Sequence, residues 1–177
     1  MIGQGYDGAA VMFGIHNGVA ALIKKVAPNA MYVHCNAHKL NLCLVDSCKI
    51  VPEAEDFFSL MGRLYCFLSS SAVHPIWLEL QKECYPGEAP RELQKLSDTR
   101  WACRATSCIN AKARLGAIVA LLKKISEEHY GDRAIEAGGL LSQVNRTFVK
   151  MLWLMTDFLN ETRQFSEFLQ TRNLDLA

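Results

Sequence analysis

Two short stretches decide how this sequence is interpreted, Gly3-Gln4-Gly5-Tyr6-Asp7-Gly8 and Val33-His34-Cys35-Asn36-Ala37-His38. The first places an acidic residue among glycines, which is typical of a tight turn. The second overlaps the β-branched and aromatic segment 31–34, which predicts a strand. An apolar segment of helical spacing follows it. A strand, a helix and a nearby acidic turn together indicate part of an α/β domain.

Beyond residue 38 the apolar residues recur mainly at helical spacing. We predict helices over 18–27, 38–49, 52–70 and 75–85, with an irregular connection over 86–97. Two longer helices are predicted on either side of a break at 129–132, with stripes from Trp101 to Ile125 and from Leu141 to Leu169. These two helices are expected to pack antiparallel. Because an α/β domain needs a sheet for its helices to cover, either further strands lie outside this chain or the fold is all-helical. We favour the first, an α/β fragment that is mostly helical.

The composition limits the kinds of protein that this chain can be. The chain has 177 residues, of which 50% are hydrophobic and 21% charged, with a net charge of +1. It can bury a substantial core, and it lacks the excess of basic residues expected of a tight, free-standing DNA binder. Because no apolar run reaches about 18 residues and no signal peptide is recognised, we expect a soluble intracellular protein without a membrane span.

The seven cysteines form no Cys-x-x-Cys pair. Their odd number and their positions on apolar helix faces predict reduced, buried thiols. Cys35 and His38 could also be half of a zinc site, but structural zinc needs four ligands and a second pair is lacking.

The glycines match the dinucleotide-binding pattern Gly-x-Gly-x-x-Gly. That pattern requires a preceding strand and an acidic residue about twenty residues later. Only Met1 and Ile2 precede the glycines, and the second candidate strand ends in Cys35. We therefore expect neither a nucleotide cofactor nor a small-molecule substrate.

Taken with Asp98-Thr99-Arg100-Trp101, these motifs resemble the catalytic domain of hAT-superfamily DNA transposases, including transposon-derived zinc finger MYM-type proteins. The resemblance runs from Gly3 to the carboxyl end and lies in the order and spacing of the motifs. It implies a partial, truncated RNase H-like core over residues 1–98. Residues 99–177 would then begin an all-α insertion domain.

The resemblance assigns roles to five residues. Asp7 would be one of three acidic residues that hold Mg²⁺ or Mn²⁺ for DNA cleavage and strand transfer. Cys35 and His38 would position DNA, Arg100 would hold a phosphate, and Trp101 would stack on a flipped base. The residues alone also allow plainer roles, namely a turn aspartate, a histidine at a helix start and a tryptophan in a helix core.

Two features depart from the family pattern. Gly8 stands where Asn often follows the aspartate, and the first aspartate and final glutamate of the triad have no counterparts here. One carboxylate cannot organise two metals, so Mg²⁺ or Mn²⁺ would bind only if the other acids lay outside this chain. The expectation is a domesticated or truncated, nuclear, transposase-like domain that binds DNA weakly and does not cleave it. The alternative is a module that dimerises or binds a protein through its helices.

Overall fold

The computed structural model describes residues 3–6, 8–14, 17–97, 101–128 and 131–169. This part of the chain is mostly helical and holds one two-stranded sheet, so the predicted mostly helical α/β class is confirmed. The elements, in chain order, are β1 (Gly3–Tyr6), α1 (Ala10–Phe13), α2 (Val19–Val26), β2 (Met31–His34), α3 (Asn36–Ile50), α4 (Pro52–Ser69), α5 (His74–Cys84), α6 (Trp101–Ala113), α7 (Leu115–Glu128), α8 (Asp132–Gln143) and α9 (Arg146–Phe168).

The two strands are parallel, and α1 and α2 connect them. Their register pairs Gly3 with Met31 and Tyr6 with His34. β2 agrees with its prediction, whereas β1 occupies the glycine-rich stretch in which only a turn was predicted. Two glycines of the apparent dinucleotide pattern, Gly3 and Gly5, therefore belong to a strand rather than to a loop that follows one.

The sheet is covered unequally. Gln4 points to the face that α2 covers, where its side-chain amide donates to the carbonyl oxygen of Ala20. On strand β1 the alternate residues Gly3 and Gly5 are exposed, as is Met31 of β2. Parallel strands are usually buried on both faces, so this pair is an unusually open piece of sheet.

The helices α3 to α9, here called the helical body, share one hydrophobic core. Helix α4 supplies its longest buried stripe, because apolar residues recur every three or four positions. Pro52 stands in the first turn of this helix together with Glu53 and Glu55, which favours initiation there. The largest fully buried apolar side chains of the helical body are those of Trp77, Met61, Leu64, Leu68, Ile118, Leu121, Leu122, Ile125, Leu152 and Leu159.

The first of the two predicted long helices is broken at Arg114. Its halves, α6 and α7, meet at 74°, although the apolar stripe continues across the break. The Arg114 side chain is only 2% exposed. Its guanidinium donates to Gln81 Oε1 at 3.2 Å, to Glu88 Oε2 at 2.8 Å and to the Ala89 carbonyl at 3.1 Å. The bend thus places a buried cation against α5 and against the irregular connection 86–97, which agrees with its prediction.

The second predicted long helix is also two helices, α8 and α9. The chain leaves α8 at Val144, and the Asn145 side chain caps α9 by accepting from the backbone N–H groups of Thr147 and Phe148. The extended contacts are of α6 with α9 and of α7 with α8. This order of contacts, α6 with α9 and α7 with α8, agrees with the expected antiparallel arrangement, whereas the expectation of two unbroken helices was wrong.

Within the described ranges, no single helix has both the length and the apolar character needed to cross a membrane. The bent pair formed by Ala102–Ala113 and Leu115–Glu127 meets those criteria only when its two halves are taken together. Several residues of that pair, including Cys108, Ile118 and Leu122, belong to the core.

Candidate functional site

The carboxyl ends of β1 and β2 lie side by side because the strands are parallel and in register. Tyr6 is paired with His34, and the backbone N–H of Cys35 donates to the Tyr6 carbonyl oxygen at 2.9 Å. The chain turns directly from this bond into α3. This edge of the sheet therefore gathers the residues that follow both strands, which is where α/β domains commonly place their ligand sites.

The imidazole of His34 lies at the centre of this edge. Its ring is stacked with that of His38, with the ring centroids 5.7 Å apart and an interplanar angle of 29°. On another side it meets the backbone of Gly8, where an added Cβ would lie 2.8 Å from the His34 Cε1 atom. A side chain at position 8 would collide with the ring, so the missing Cβ makes room for it.

His34 Nε2 is buried and accepts or donates no hydrogen bond within the described part of the chain. A buried polar atom without a partner is rare in folded proteins and often marks a functional or strained position. His34 was not among the candidates from the sequence. Its place as the last residue of β2, immediately before Cys35, was the signal that could have identified it.

Cys35 and His38 both lie at the amino end of α3. Cys35 occupies the capping position, is exposed, and makes no side-chain hydrogen bond to the helix. The backbone N–H groups of the first turn have no intrahelical acceptors, and they carry the positive end of the helix dipole. Half-buried His38 stands in that turn. Together these groups present hydrogen-bond donors and an imidazole, which suit a phosphate oxygen.

The structure brings together only some of the predicted site residues. Asp7 and Arg100 lie outside the described residues, and at Trp101 only the backbone, which begins α6, is described. Helix α6 contacts α3, and both helices supply a buried cysteine to the core, Cys108 from α6 and Cys48 from near the carboxyl end of α3. Cys48 is about 20 Å along the helix from Cys35, at 1.5 Å per residue. The joint action of α6 and the Cys35–His38 end therefore stays a prediction.

No metal centre is formed by the residues that the structure describes, since no group of three or more His, Cys, Asp and Glu side chains converges there. Cys35 and His38 do not gain a second pair of ligands from elsewhere in those ranges. Asp7, the predicted metal ligand, lies outside the described residues, so metal binding there stays a prediction.

All seven cysteines are free thiols, but the expectation that most are buried was wrong. Cys48 and Cys108 alone are buried, whereas four others are exposed and Cys103 is intermediate. Cys43, which helical spacing predicts on the apolar face of α3, is among the exposed ones. Burial raises the pKa of the Cys108 thiol to about 12 and also raises that of Cys48, while the nearby Arg104 guanidinium opposes both shifts.

A second surface of interest lies on α9, which is apolar on two faces. One face enters the core through residues such as Leu152 and Leu159. The opposite side exposes large apolar side chains at helical spacing, where a solvated helix normally carries polar residues. We call these residues the outer stripe, and they are Leu154 (59% exposed), Phe158 (44%) and Phe165 (53%).

No protein-family model matches this chain, and no solved structure matches it. The hAT resemblance therefore rests on the sequence motifs alone and stays a prediction.

Proposed function

We propose that this chain is a transposase-derived domain of hAT type that binds DNA through the amino end of α3 and does not cleave it. On this proposal, β1 and β2 belong to an RNase H-like core, the helices from α6 onward belong to the insertion, and the protein acts in the nucleus. The observation that carries the proposal is the cluster of Gly8, His34, Cys35 and His38 at the carboxyl edge of two parallel strands.

The chemistry of this cluster suits the binding of a phosphodiester better than its cleavage. Uncapped N–H groups and an imidazole can hold a phosphate oxygen. Cleavage with two metals needs several carboxylates, and Asp7 is the one acidic residue of this chain that the resemblance assigns to them. Because the net charge is only +1, few phosphates are neutralised, and both the affinity and its salt dependence should be modest.

Fluorescence anisotropy with labelled duplex and hairpin DNA, between 50 and 200 mM salt (roughly the range over which counterion release is read), tests the binding. His38→Ala should weaken binding about fivefold, the effect of one hydrogen bond of roughly 1 kcal/mol. His74→Ala is the matched control, because His74 is also a half-buried histidine and lies on α5, where it is paired with Glu92. Equal affinities for the two variants would refute a role for the α3 end.

A nicking assay on the same DNA with Mg²⁺ or Mn²⁺ tests the second half of the proposal. We expect no product. Metal-dependent nicking that Asp7→Asn abolishes would show that this chain is an active nuclease.

The outer stripe of α9 favours a second candidate function, a module that dimerises or binds a protein through its helices. Exposed apolar residues arranged along one helix face are typical of interfaces. Replacing Phe165 by Ser should then lower the apparent mass of the protein in light scattering. A mass equal to one chain for the unmodified protein, with no crosslinked species, would exclude self-association.

A further inference from the structure

Helix α9 carries an unusual concentration of exposed aromatic side chains. Among the residues that the structure describes, exposed aliphatic side chains are spread over several elements, whereas the exposed phenylalanine and tryptophan side chains all lie on this helix. They are Trp153, Phe158, Phe165 and Phe168. Single exposed apolar residues are normal on a protein surface, but aromatic rings gathered on one element are typical of an interface.

The face of α9 that carries the outer stripe also carries one basic and one acidic side chain. Lys150 lies four residues before Leu154, and Glu161 lies four residues before Phe165. Residues four apart on a helix share one face. Both charged side chains are exposed, and neither forms an ion pair with another described residue, although other charged residues of α9 do. The face is therefore apolar, with a cation towards its amino end and a carboxylate towards its carboxyl end.

The order of charges along α9 is the reverse of the order that its own dipole favours. Arg146 and Lys150 lie near the amino end, and the first turn holds no acidic residue, although the dipole favours negative charge there. Glu161 and Glu167 lie near the carboxyl end, and the last turn holds no basic residue. The stability of a single helix does not account for this order. A second helix that runs in the opposite direction does, because it brings acidic residues to the basic end and basic residues to the acidic end.

We propose that two copies of this chain associate through the outer stripes of their α9 helices, antiparallel about a twofold axis. Lys150 of each copy stands opposite Glu161 of the other, and Leu154 of each copy packs beside Phe158 of the other. Both pairings fit one axis, because their midpoints along the helix nearly coincide. The same patch serves both copies, so the assembly closes at two chains.

The charges select this orientation over the parallel one. A parallel pair in register places Lys150 against Lys150 and Glu161 against Glu161, and like charges placed opposite each other disfavour an interface. The inference rests on the second candidate function, self-association through the helices, and specifies its partner and geometry. It does not depend on DNA binding at the α3 end.

Sedimentation equilibrium of the whole chain at low salt measures the dissociation constant of the dimer. The buffer is reducing, because four exposed cysteines could otherwise crosslink the copies. Lys150→Glu and Glu161→Lys should each weaken the dimer about tenfold, since each variant replaces two attractions across the axis by two repulsions. An equimolar mixture of the two variants should recover the affinity of the unmodified chain, because each mixed pair again places opposite charges at both contacts.

Lys124→Glu and Glu136→Lys are the matched controls. These residues are exposed on α7 and α8, away from the outer stripe, and their replacement changes the net charge by the same amounts. Both control variants should keep the dissociation constant of the unmodified chain. A loss in the controls equal to that in the α9 variants would mean that net charge alone governs association, and it would overturn the proposal.

Phe165→Ser separates the proposed geometry from the function on which it rests. If Phe165→Ser gives single chains while both α9 charge reversals leave the dimer unchanged, the outer stripe self-associates in another orientation, so the geometry fails and the function stands. Unchanged charge variants whose mixture is tighter than the unmodified chain would indicate the parallel pair and would also overturn the proposal. Single chains at every concentration of the unmodified protein would overturn it as well, and would leave the outer stripe to a different protein.

Discussion

The amino-terminal unit (residues 3–34) and the helical body are packed in opposite ways. Among the described residues of the unit, the buried side chains are those of Gln4, Ala20 and Ala30, and large apolar residues such as Val26 and Met31 are exposed. The helical body instead surrounds a continuous apolar core. Free energy from apolar burial is therefore concentrated in the helices, because it scales with the area removed from water.

The candidate site lies in the part of the molecule that contributes least to the hydrophobic core. The cluster around His34 belongs to the sparsely packed unit and to its junction with α3. Segments with few buried apolar contacts open at low free-energy cost. We infer that the helical body is the scaffold and that the unit carries the adaptable chemistry, supported from one side by α3.

The largest effect that we expect from this contrast is on the free energy of unfolding, when one leucine in each region is replaced by alanine. Leu121 is fully buried in α7, whereas Leu22 on α2 is 49% exposed. Leu121→Ala should lower the free energy of unfolding by about 3 kcal/mol, since it leaves a cavity in the core. Leu22→Ala should change it by less than about 0.5 kcal/mol. Urea unfolding followed by circular dichroism measures both, and similar losses would show that the unit has a core of its own.

The sequence pattern predicts the single helices well and the breaks poorly. The bounds of α3, α4 and α5 lie within two residues of their predictions because each has an apolar stripe and a proline or turn nearby. The breaks at Arg114 and Val144 were missed, since the apolar stripe continues through both. At the break, the buried Arg114 side chain donates to buried Gln81 and to exposed Glu88, and periodicity does not report such tertiary interactions.

At the candidate site, too, sequence spacing predicts contacts within one element but not contacts between elements. The proximity of Cys35 to His38 follows from helical geometry and could be predicted from their spacing. The stacking of His34 on His38 and the contact of its ring with Gly8 depend on the parallel register of β1 and β2. Because the sequence suggested a turn over Gly3–Gly8 rather than a strand, that register could not be predicted.

A smaller effect is expected from alkaline pH, and it should arise in the helical body. Burial raises the pKa of Cys108 from 9.0 to about 12, so the unfolded chain loses this proton first. The stability that the neutral thiol contributes is complete below pH 9 and is lost as pH rises towards 12. The free energy of unfolding should fall by about 1 kcal/mol between pH 8 and 10 on account of this group.

The matching measurement is urea unfolding of Cys108→Ala and Cys84→Ala at the two pH values. Cys84 is exposed, so its removal should leave the pH dependence intact, whereas Cys108→Ala should reduce it. Equal pH dependence in the two variants would mean that the Cys108 thiol does not titrate differently in the folded and unfolded chains.

The smallest effect on stability, and the most local one, is expected at Gly8. Gly8→Ala places a methyl group 2.8 Å from the His34 Cε1 atom, closer than carbon atoms pack, so the imidazole must shift away. Because the unit contributes little to the core, the free energy of unfolding should fall by less than about 1 kcal/mol. The matched control is Gly62→Ala in α4, where the added carbon meets nothing within 4 Å. That change should stabilise the helix by roughly 0.5–1 kcal/mol.

Nuclear magnetic resonance of the histidine ring protons separates the two glycine variants. Gly8→Ala should move the His34 and His38 signals together, because their rings are stacked, and should leave the signal of His74 in place. Gly62→Ala should move none of them. Unchanged His34 and His38 signals in Gly8→Ala would show that the glycine does not hold the imidazole in position. The edge of the sheet would then be an open surface and not a site in which the side chains have fixed positions.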